Sequence, residues 1–213
     1  MKKIRVIALM LCVLCMMTVM LSSCGGRAPK TEAIYDRVVE LIEASYELNT
    51  VYHGQGLPVY KTDSEYAEFT HLYYNFADKG IYEMVTPYAK FQSIADIKEA
   101  SEKVYSKKLL EEVFYPAAFT GYAISDGVGG SHYAYARFLE KEGQLYQYVE
   151  KGYDIQMRVY DYSTMKVIRP STSKAFYVSI VSREQGSPET ATEETLRFVL
   201  QDDGQWYLDT FTD

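Results

Sequence analysis

The segment Asp126-Gly127-Val128-Gly129-Gly130-Ser131-His132 combines glycines with residue types that could carry chemistry. Glycines can expose backbone N–H groups to an anion, and a serine beside a histidine offers a hydroxyl and a base. However, the segment lacks the Gly-Lys-Ser/Thr ending of a phosphate-binding loop. It also lacks the strand–turn–helix elbow that aims a nucleophile. The pattern therefore predicts a connection between helices and sheet, or a binding loop, rather than a catalytic centre.

If this loop binds a partner, its contacts would come from the loop and from the tyrosines that follow it. The candidate binding residues are Asp126, Gly129, Gly130, Ser131, His132, Tyr133 and Tyr135. A loop of this kind can enter a narrow groove, and tyrosine presents a large apolar ring with a polar tip.

The other chemistry-bearing residues do not form a recognisable active centre. The acidic pairs are Glu111/Glu112, Glu193/Glu194 and Asp202/Asp203. Neighbouring residues on a helix point apart, whereas a glycosidase needs two carboxylates that face each other across a cleft. The three histidines, His53, His71 and His132, lack the spacing of zinc ligands. We therefore expect a protein that is not an enzyme and has no cofactor and no metal.

The N-terminus carries a different kind of chemical signal. Lys2, Lys3 and Arg5 precede the apolar run Val6–Met20, which is shorter than the roughly 20 residues that a spanning helix needs. A basic start, a short apolar segment and small residues before a cut site are typical of a secretory signal. The segment ends with Leu21-Ser22-Ser23-Cys24.

This ending resembles the lipobox of bacterial lipoprotein precursors. The resemblance implies that Cys24 receives diacylglycerol and becomes the first residue of the mature chain. It predicts a signal peptide at residues 1–23, a tether at 24–30 and a single domain at 31–213. The protein would then lie on the extracytoplasmic face of the cell membrane, held by its lipid. An ordinary signal peptide, or an anchor that is never cut, is the alternative.

Composition limits the partners of the mature chain. Without residues 1–23, which carry three basic and no acidic side chains, 19 basic and 29 acidic residues remain, a formal charge of −10. Nucleic acid is excluded as a partner, because a phosphate backbone requires a basic face. Cys24 would be the only cysteine left, so we expect no disulfide. The 21 tyrosines indicate a half-buried sheet or, alternatively, an aromatic-lined cleft for a glycan or peptide.

Helical periodicity predicts three helices. The first runs from a capping Thr31 to about Leu48. Ser93 and Ser106 are predicted to cap the other two, and Pro116 to end the last one.

Strand patterns dominate the rest of the chain. A short helix or irregular lead-in that includes Tyr66 and Phe69 is predicted before a hairpin at about 71–85. Further hairpins are predicted at 133–148 around Glu142-Gly143, and at 196–208 around Asp202-Asp203-Gly204, where Trp206 should be buried. Separate strands are predicted at 155–159, 165–168 and 175–181, and a solvated loop at 184–194. The fold class is α+β, with N-terminal helices packed on a curved antiparallel sheet.

The order of these elements resembles a known family. An aromatic hairpin (Tyr74-Asn75-Phe76 through Tyr82-Glu83-Met84-Val85) precedes Ser93-Ile94-Ala95-Asp96-Ile97-Lys98, then Val104-Tyr105-Ser106, Leu109-Leu110 and Phe114. This order is similar to that of the bacterial cell-wall DL-endopeptidase inhibitors and, more loosely, of cystatin-like or NTF2-like lipoproteins. The resemblance implies a non-enzymatic protein that blocks a cysteine–histidine cell-wall hydrolase. The alternative is an NTF2-like module that binds a small molecule or glycan.

Overall fold

The structure, a computed structural model, describes residues 28–61, 73–76, 80–125, 131–148 and 157–212. Helices pack with two four-stranded antiparallel sheets, and a separate two-stranded hairpin completes the described part of the fold. The predicted α+β class is confirmed, although the strands divide into two sheets.

Helix α1 (Thr31–Tyr52) begins as predicted and continues four residues beyond the predicted end. Its apolar stripe is buried and includes Ile34, Val38 and Leu41. The predicted cap is wrong, because Lys30 occupies the N-cap position and no side chain caps this helix. The Thr31 hydroxyl instead accepts a hydrogen bond from the Val167 amide (3.3 Å). The Thr31 hydroxyl oxygen, which the predicted cap would have needed, is therefore occupied by a residue that is distant in the sequence.

Helices α2 (Ile94–Glu102) and α3 (Lys107–Leu109) begin at their predicted caps. The Ser93 hydroxyl accepts from the Asp96 amide (3.0 Å), and the Ser106 hydroxyl accepts from the Leu109 amide (3.1 Å). These bonds satisfy amides that have no partner within the helix.

Pro116 does not end the helix that follows Ser106, contrary to prediction. The chain continues through two π-helical segments, Leu110–Phe114 and Pro116–Thr120. Pro116 occupies the first position of the second segment, where a missing N–H is tolerated. The helix ends at Gly121, whose positive φ of 74° suits glycine.

The first sheet has the strand order β1-β2-β6-β5. Its strands are β1 (Tyr73–Phe76), β2 (Gly80–Met84), β5 (Phe138–Lys141) and β6 (Gln144–Tyr148). The hairpins β1–β2 and β5–β6 are confirmed, and Glu142 and Gly143 turn the second with φ of 55° and 78°. The lead-in predicted before β1 lies outside the described residues. Tyr133, which was predicted in the second hairpin, belongs to another strand.

The second sheet has the order β10-β9-β8-β7. Its strands are β7 (Arg158–Ile168), β8 (Ala175–Glu184), β9 (Thr192–Leu200) and β10 (Trp206–Leu208). The hairpin around Asp202-Asp203-Gly204 is confirmed. The two strands predicted at 155–159 and 165–168 are a single strand within the described residues, with irregular pairing between Asp161 and Lys166.

A local bond explains that irregularity. The Asp161 carboxylate accepts from the Ser163 amide (3.0 Å) and the Ser163 hydroxyl (2.6 Å). This turn-like contact accommodates extra residues in β7 between the two stretches that pair with β8. The strand therefore bulges but does not end.

The segment 184–194 was predicted as a solvated loop, and this is wrong at both ends. Strand β8 extends to Glu184, β9 begins at Thr192, and Pro188–Thr190 forms a short 3₁₀ turn. The Glu194 carboxylate accepts from the Ser182 hydroxyl (2.6 Å) and pairs with Arg158 (2.5 Å). Cross-strand partners thus hold an acid that the sequence alone would place in solvent.

A single cluster of buried side chains joins α1 to both sheets. In the second sheet the rings of Phe176 and Phe198 stack with centroids 5.0 Å apart. Trp206 is half-buried: its ring meets Phe176 edge-on at 4.7 Å, and its carbonyl accepts from Arg37 of α1 (3.1 Å). Trp206 therefore contacts both the sheet and the first helix.

Candidate functional site

The Gly-rich segment predicted as a binding loop is flanked by a strand pair. Strands β3 (Tyr122–Ser125) and β4 (Ser131–Ala134) form an antiparallel hairpin with Ile124 opposite His132. Among the described residues, this hairpin pairs with neither four-stranded sheet. The strands on either side of the predicted connection therefore pair with each other.

The structure places the predicted binding residues in three groups. Ser131, His132 and Tyr133 lie in β4. Tyr135 lies just beyond β4, and its ring is 5.3 Å from that of Tyr148 in the first sheet. Asp126, Gly129 and Gly130 fall outside the described residues, as does Cys24.

The base of the hairpin is fixed to the first sheet through tyrosines. The Tyr148 ring lies 5.2 Å from that of Tyr82, which is fully buried. The Tyr82 hydroxyl donates to the Ala136 carbonyl (2.6 Å). The chain leaving β4 therefore enters the first sheet at a defined position.

Arg137 fixes the same base to α1. Its Nε donates to the Val51 carbonyl (2.7 Å), and its Nη2 donates to the Gly54 carbonyl. A guanidinium here also faces the negative end of the helix dipole. The sequence did not predict this role of Arg137. The available signal was a single cation between the aromatic residues Tyr135 and Phe138, and it gave no indication that the partners are carbonyls at the end of α1.

The other strand of the hairpin leaves the second π-helical segment. The Gly121 amide donates to the Pro116 carbonyl (2.8 Å), and the Arg137 amide donates to the Ala117 carbonyl (3.3 Å). Both strands of the hairpin therefore leave one support, which is built from α1, the π-helical segment and the first sheet.

A second feature is an open cleft of about 420 Å³, which we call the acidic cleft. It lies between the helical segment 102–115 and the β9–β10 turn. It is lined by Glu102, Tyr105, Lys107, Leu110, Glu111, Tyr115, Gln201, Asp202 and Asp203. The lining contains four carboxylates and one lysine, so the cleft favours cationic groups.

Long-range backbone contacts assemble the acidic cleft. Tyr105 bridges to Leu208 of β10, and the Ser106 amide donates to the Leu208 carbonyl (2.8 Å). The Lys107 amide donates to the Gln201 side chain (2.9 Å). The sequence placed Glu111 and Asp202 in separate solvated pairs, and nothing local indicated that they share a cleft.

The side chains of the acidic cleft are held by neighbouring groups. The Tyr115 hydroxyl donates to Glu102 (3.3 Å), and burial, together with nearby negative charge, raises the pKa of Tyr115. The Tyr207 hydroxyl donates to Asp203 (2.5 Å) and, with the Gln205 amide, lowers the pKa of that carboxyl. Tyr115 is therefore neutral and Asp203 ionised at neutral pH.

A row of aromatic rings, Tyr115, Phe119 and Phe138, leads from the acidic cleft toward the hairpin. The centroid of Phe119 is 5.5 Å from that of Tyr115 and 6.4 Å from that of Phe138. The Lys98 ammonium lies 4.9 Å from the Tyr115 ring and 5.3 Å from the Phe119 ring. The cleft, this aromatic row and the hairpin base are thus connected through contacting side chains.

The acidic cleft offers charge for binding, whereas the aromatic row is mostly core: Phe138 is fully buried, and Tyr115 and Phe119 are partly exposed. Within the described ranges, no group of three or more histidine, cysteine or acidic side chains has the geometry to hold a metal ion. No helix in the described part of the chain has both the length and the apolar character required to cross a bilayer. Comparison with known proteins gave no match among family models, curated proteins or solved structures.

Proposed function

We propose that this protein is a lipid-anchored, non-enzymatic binding protein of the cell surface that docks on a secreted cell-wall DL-endopeptidase and lowers its activity. The observation that carries the proposal is the acidic cleft, which the aromatic row links to the base of a separate hairpin. An acidic face speeds association with a basic partner and fixes its orientation. Aromatic side chains are favoured contacts at the centre of such interfaces.

The proposed inhibition is steric. The β3–β4 hairpin would occupy the substrate groove of the hydrolase, while the acidic cleft would bind cationic side chains on the groove's rim. The N-terminal lipobox supports a location where such hydrolases act. The family resemblance of the sequence supports the same type of partner.

A ligand-binding module is the alternative, and it calls for an enclosed apolar pocket with few polar groups. The acidic cleft is open and carries four carboxylates. This lining favours a protein surface with cationic side chains over a small apolar molecule.

The first experiment tests the lipid anchor. Replacing Cys24 by alanine should abolish labelling of the protein by a radioactive fatty acid and release it from, or stall it at, the membrane. Persistent labelling of Cys24→Ala would contradict the assignment.

The second experiment tests inhibition. The purified lipoprotein in detergent is added to cysteine-type wall endopeptidases of the same cell, and peptidoglycan cleavage is followed. We expect inhibition at micromolar concentration. The double variant Glu111→Gln/Asp202→Asn should weaken it about tenfold or more, since polar contacts to charged groups contribute about 1.5–3 kcal/mol.

The matched control is Asp36→Asn/Glu189→Gln, which removes the same charge from exposed positions outside the cleft. This control should inhibit like the unmodified protein. If both double variants inhibited equally poorly, the acidic cleft would have no specific role in binding the endopeptidase. The absence of inhibition against every such endopeptidase of the cell would contradict the proposed function.

A further inference from the structure

Two exposed cations, Lys30 and Arg169, line a groove beside the start of α1, and the exposed Lys166 and Lys174 lie within five residues of Arg169 along the chain. Lys30 precedes α1, Lys166 and Arg169 lie at the end of β7, and Lys174 precedes β8. A groove of about 950 Å³ separates residues 28–32 from residues 167–172. The bond from the Val167 amide to the Thr31 hydroxyl (3.3 Å) joins its two sides. We call these four residues and the groove the basic end.

The cations of the basic end differ from most others in the structure. Lys103 pairs with Glu99 at 2.8 Å, Lys108 with Glu112 at 3.9 Å, and Lys90 pairs with Glu47. Within the part of the chain that the structure describes, Lys30, Lys166, Arg169 and Lys174 form no ion pair. Glu32 is the one acidic residue that lines the groove.

Unpaired cations are unexpected in this chain, because acidic residues outnumber basic ones by 29 to 22. Exposed carboxylates are abundant enough to have partnered them. The basic end therefore keeps a positive charge that is available to an anionic partner.

The basic end also lies beside the proposed lipid anchor. Cys24 precedes Ala28 by four residues, which span about 14 Å at most when fully extended. Charges act over about 8 Å at physiological ionic strength. A lipid on Cys24 would thus hold the basic end at a distance from the bilayer that is comparable to the range of its charges.

We propose that the basic end rests on anionic lipid headgroups and so sets the orientation of the domain on the membrane. This inference depends on the lipid anchor of the proposed function. Each lysine or arginine near an anionic surface strengthens the contact about fivefold. The four together suffice to favour one orientation of a domain that the lipid already holds in place.

The acidic cleft lies close to the basic end. The Leu200 amide donates to the Lys174 carbonyl (2.8 Å), and the β9–β10 turn with Asp202 and Asp203 follows directly. Both charged regions therefore lie at one end of the second sheet. Because the cleft carries four carboxylates, anionic lipids repel it, and contact with the bilayer would be made by the basic end and not by the cleft.

The test uses the full lipidated protein on two kinds of vesicle, phosphatidylcholine alone and phosphatidylcholine mixed with phosphatidylglycerol. Flotation with neutral vesicles reports the lipid anchor, and hydrogen exchange reports the orientation. We expect exchange at residues 28–32 and 166–174 to slow several-fold more on the anionic vesicles, and this difference to vanish at high salt.

Two charge-reversed variants make the test specific. Lys166→Glu/Arg169→Glu/Lys174→Glu should float equally well but lose the difference in exchange. Lys90→Glu/Lys103→Glu/Lys108→Glu, with the same net charge, should keep it. Flotation without any difference between the vesicles, or loss of the difference in both variants, overturns the membrane-facing role alone. A failure to float with neutral vesicles contradicts the anchor, and this inference with it.

Discussion

Asn49 links the C-terminal segment to α1 through buried hydrogen bonds. Its Oδ1 accepts from the Tyr105 hydroxyl (2.6 Å), and its Nδ2 donates to the Thr212 hydroxyl (2.7 Å). Thr212 also bonds with the Ser45 hydroxyl (2.6 Å). Asn49 is 1% exposed, so water cannot replace these partners. The network holds residues on three parts of the chain in one arrangement.

Replacing Asn49 by alanine should lower the free energy of unfolding by about 2–4 kcal/mol, because buried polar groups lose their partners. Urea denaturation measures this loss. Tyr105→Phe removes the hydroxyl that donates to Asn49. The double variant Asn49→Ala/Tyr105→Phe should therefore lose less stability than the sum of the two single losses. Strict additivity would mean that this hydrogen bond contributes little to stability.

At the scale of elements, Gly56 decides how the end of α1 meets the first sheet. Gly56 has a φ of 80°, and a Cβ there would lie 2.0 Å from the Gln147 side-chain oxygen. That oxygen accepts from the Leu57 amide (2.7 Å), and the Gln147 Nε2 donates to the Gln55 carbonyl (3.1 Å). Gln147 of β6 therefore holds the loop after α1 by close approach to a residue without a side chain.

Gly56→Ala should cost about 3–4 kcal/mol, because left-handed strain adds to the loss of two hydrogen bonds, one buried and one partly buried. The matched control is Gly143→Ala, where φ is 78° and an added Cβ would meet no atom within 4 Å. The control should cost only about 1–2 kcal/mol, the strain alone. Equal losses in urea denaturation would show that Gln147 moves aside freely.

Elements with local signals could be predicted from the sequence. The caps at Ser93 and Ser106 bond to amides three residues away, and the Glu142-Gly143 turn requires only its own backbone conformation. Such features depend on neighbours in the chain, so the pattern of residue types is sufficient.

Features that depend on distant partners were missed or wrong. Thr31 was expected to cap α1 but accepts from Val167 instead, and the chain continues through Pro116 as a π-helical segment. The acidic cleft joins Glu111 to Asp202 through pairing with β10, which no local pattern specifies. The candidate site could therefore be predicted only in its hairpin half, as a loop of unusual composition.

At the scale of the whole molecule, the two sheets share one core. The buried cluster includes Val38 of α1, Leu145 of the first sheet and Phe198 of the second, each at 0% exposure. Because neither sheet buries its apolar face independently, neither should unfold alone. This shared core also makes the hairpin base and the acidic cleft parts of one packed unit.

We therefore expect a single thermal unfolding transition for the mature chain. Fluorescence of Trp206, the only tryptophan, reports the second sheet, and far-UV circular dichroism reports all secondary structure. The two signals should give the same Tm.

Leu145→Ala should cost about 2–5 kcal/mol and Phe198→Ala about 3–5 kcal/mol. In a domain of this size each kcal/mol lowers Tm by about 2–4 °C. Both substitutions should shift both signals together, since each removes part of the same core. If Leu145→Ala moved the circular dichroism transition and left the Trp206 transition in place, the sheets would be separate folding units, and the support for the hairpin would be independent of the sheet that carries Asp202.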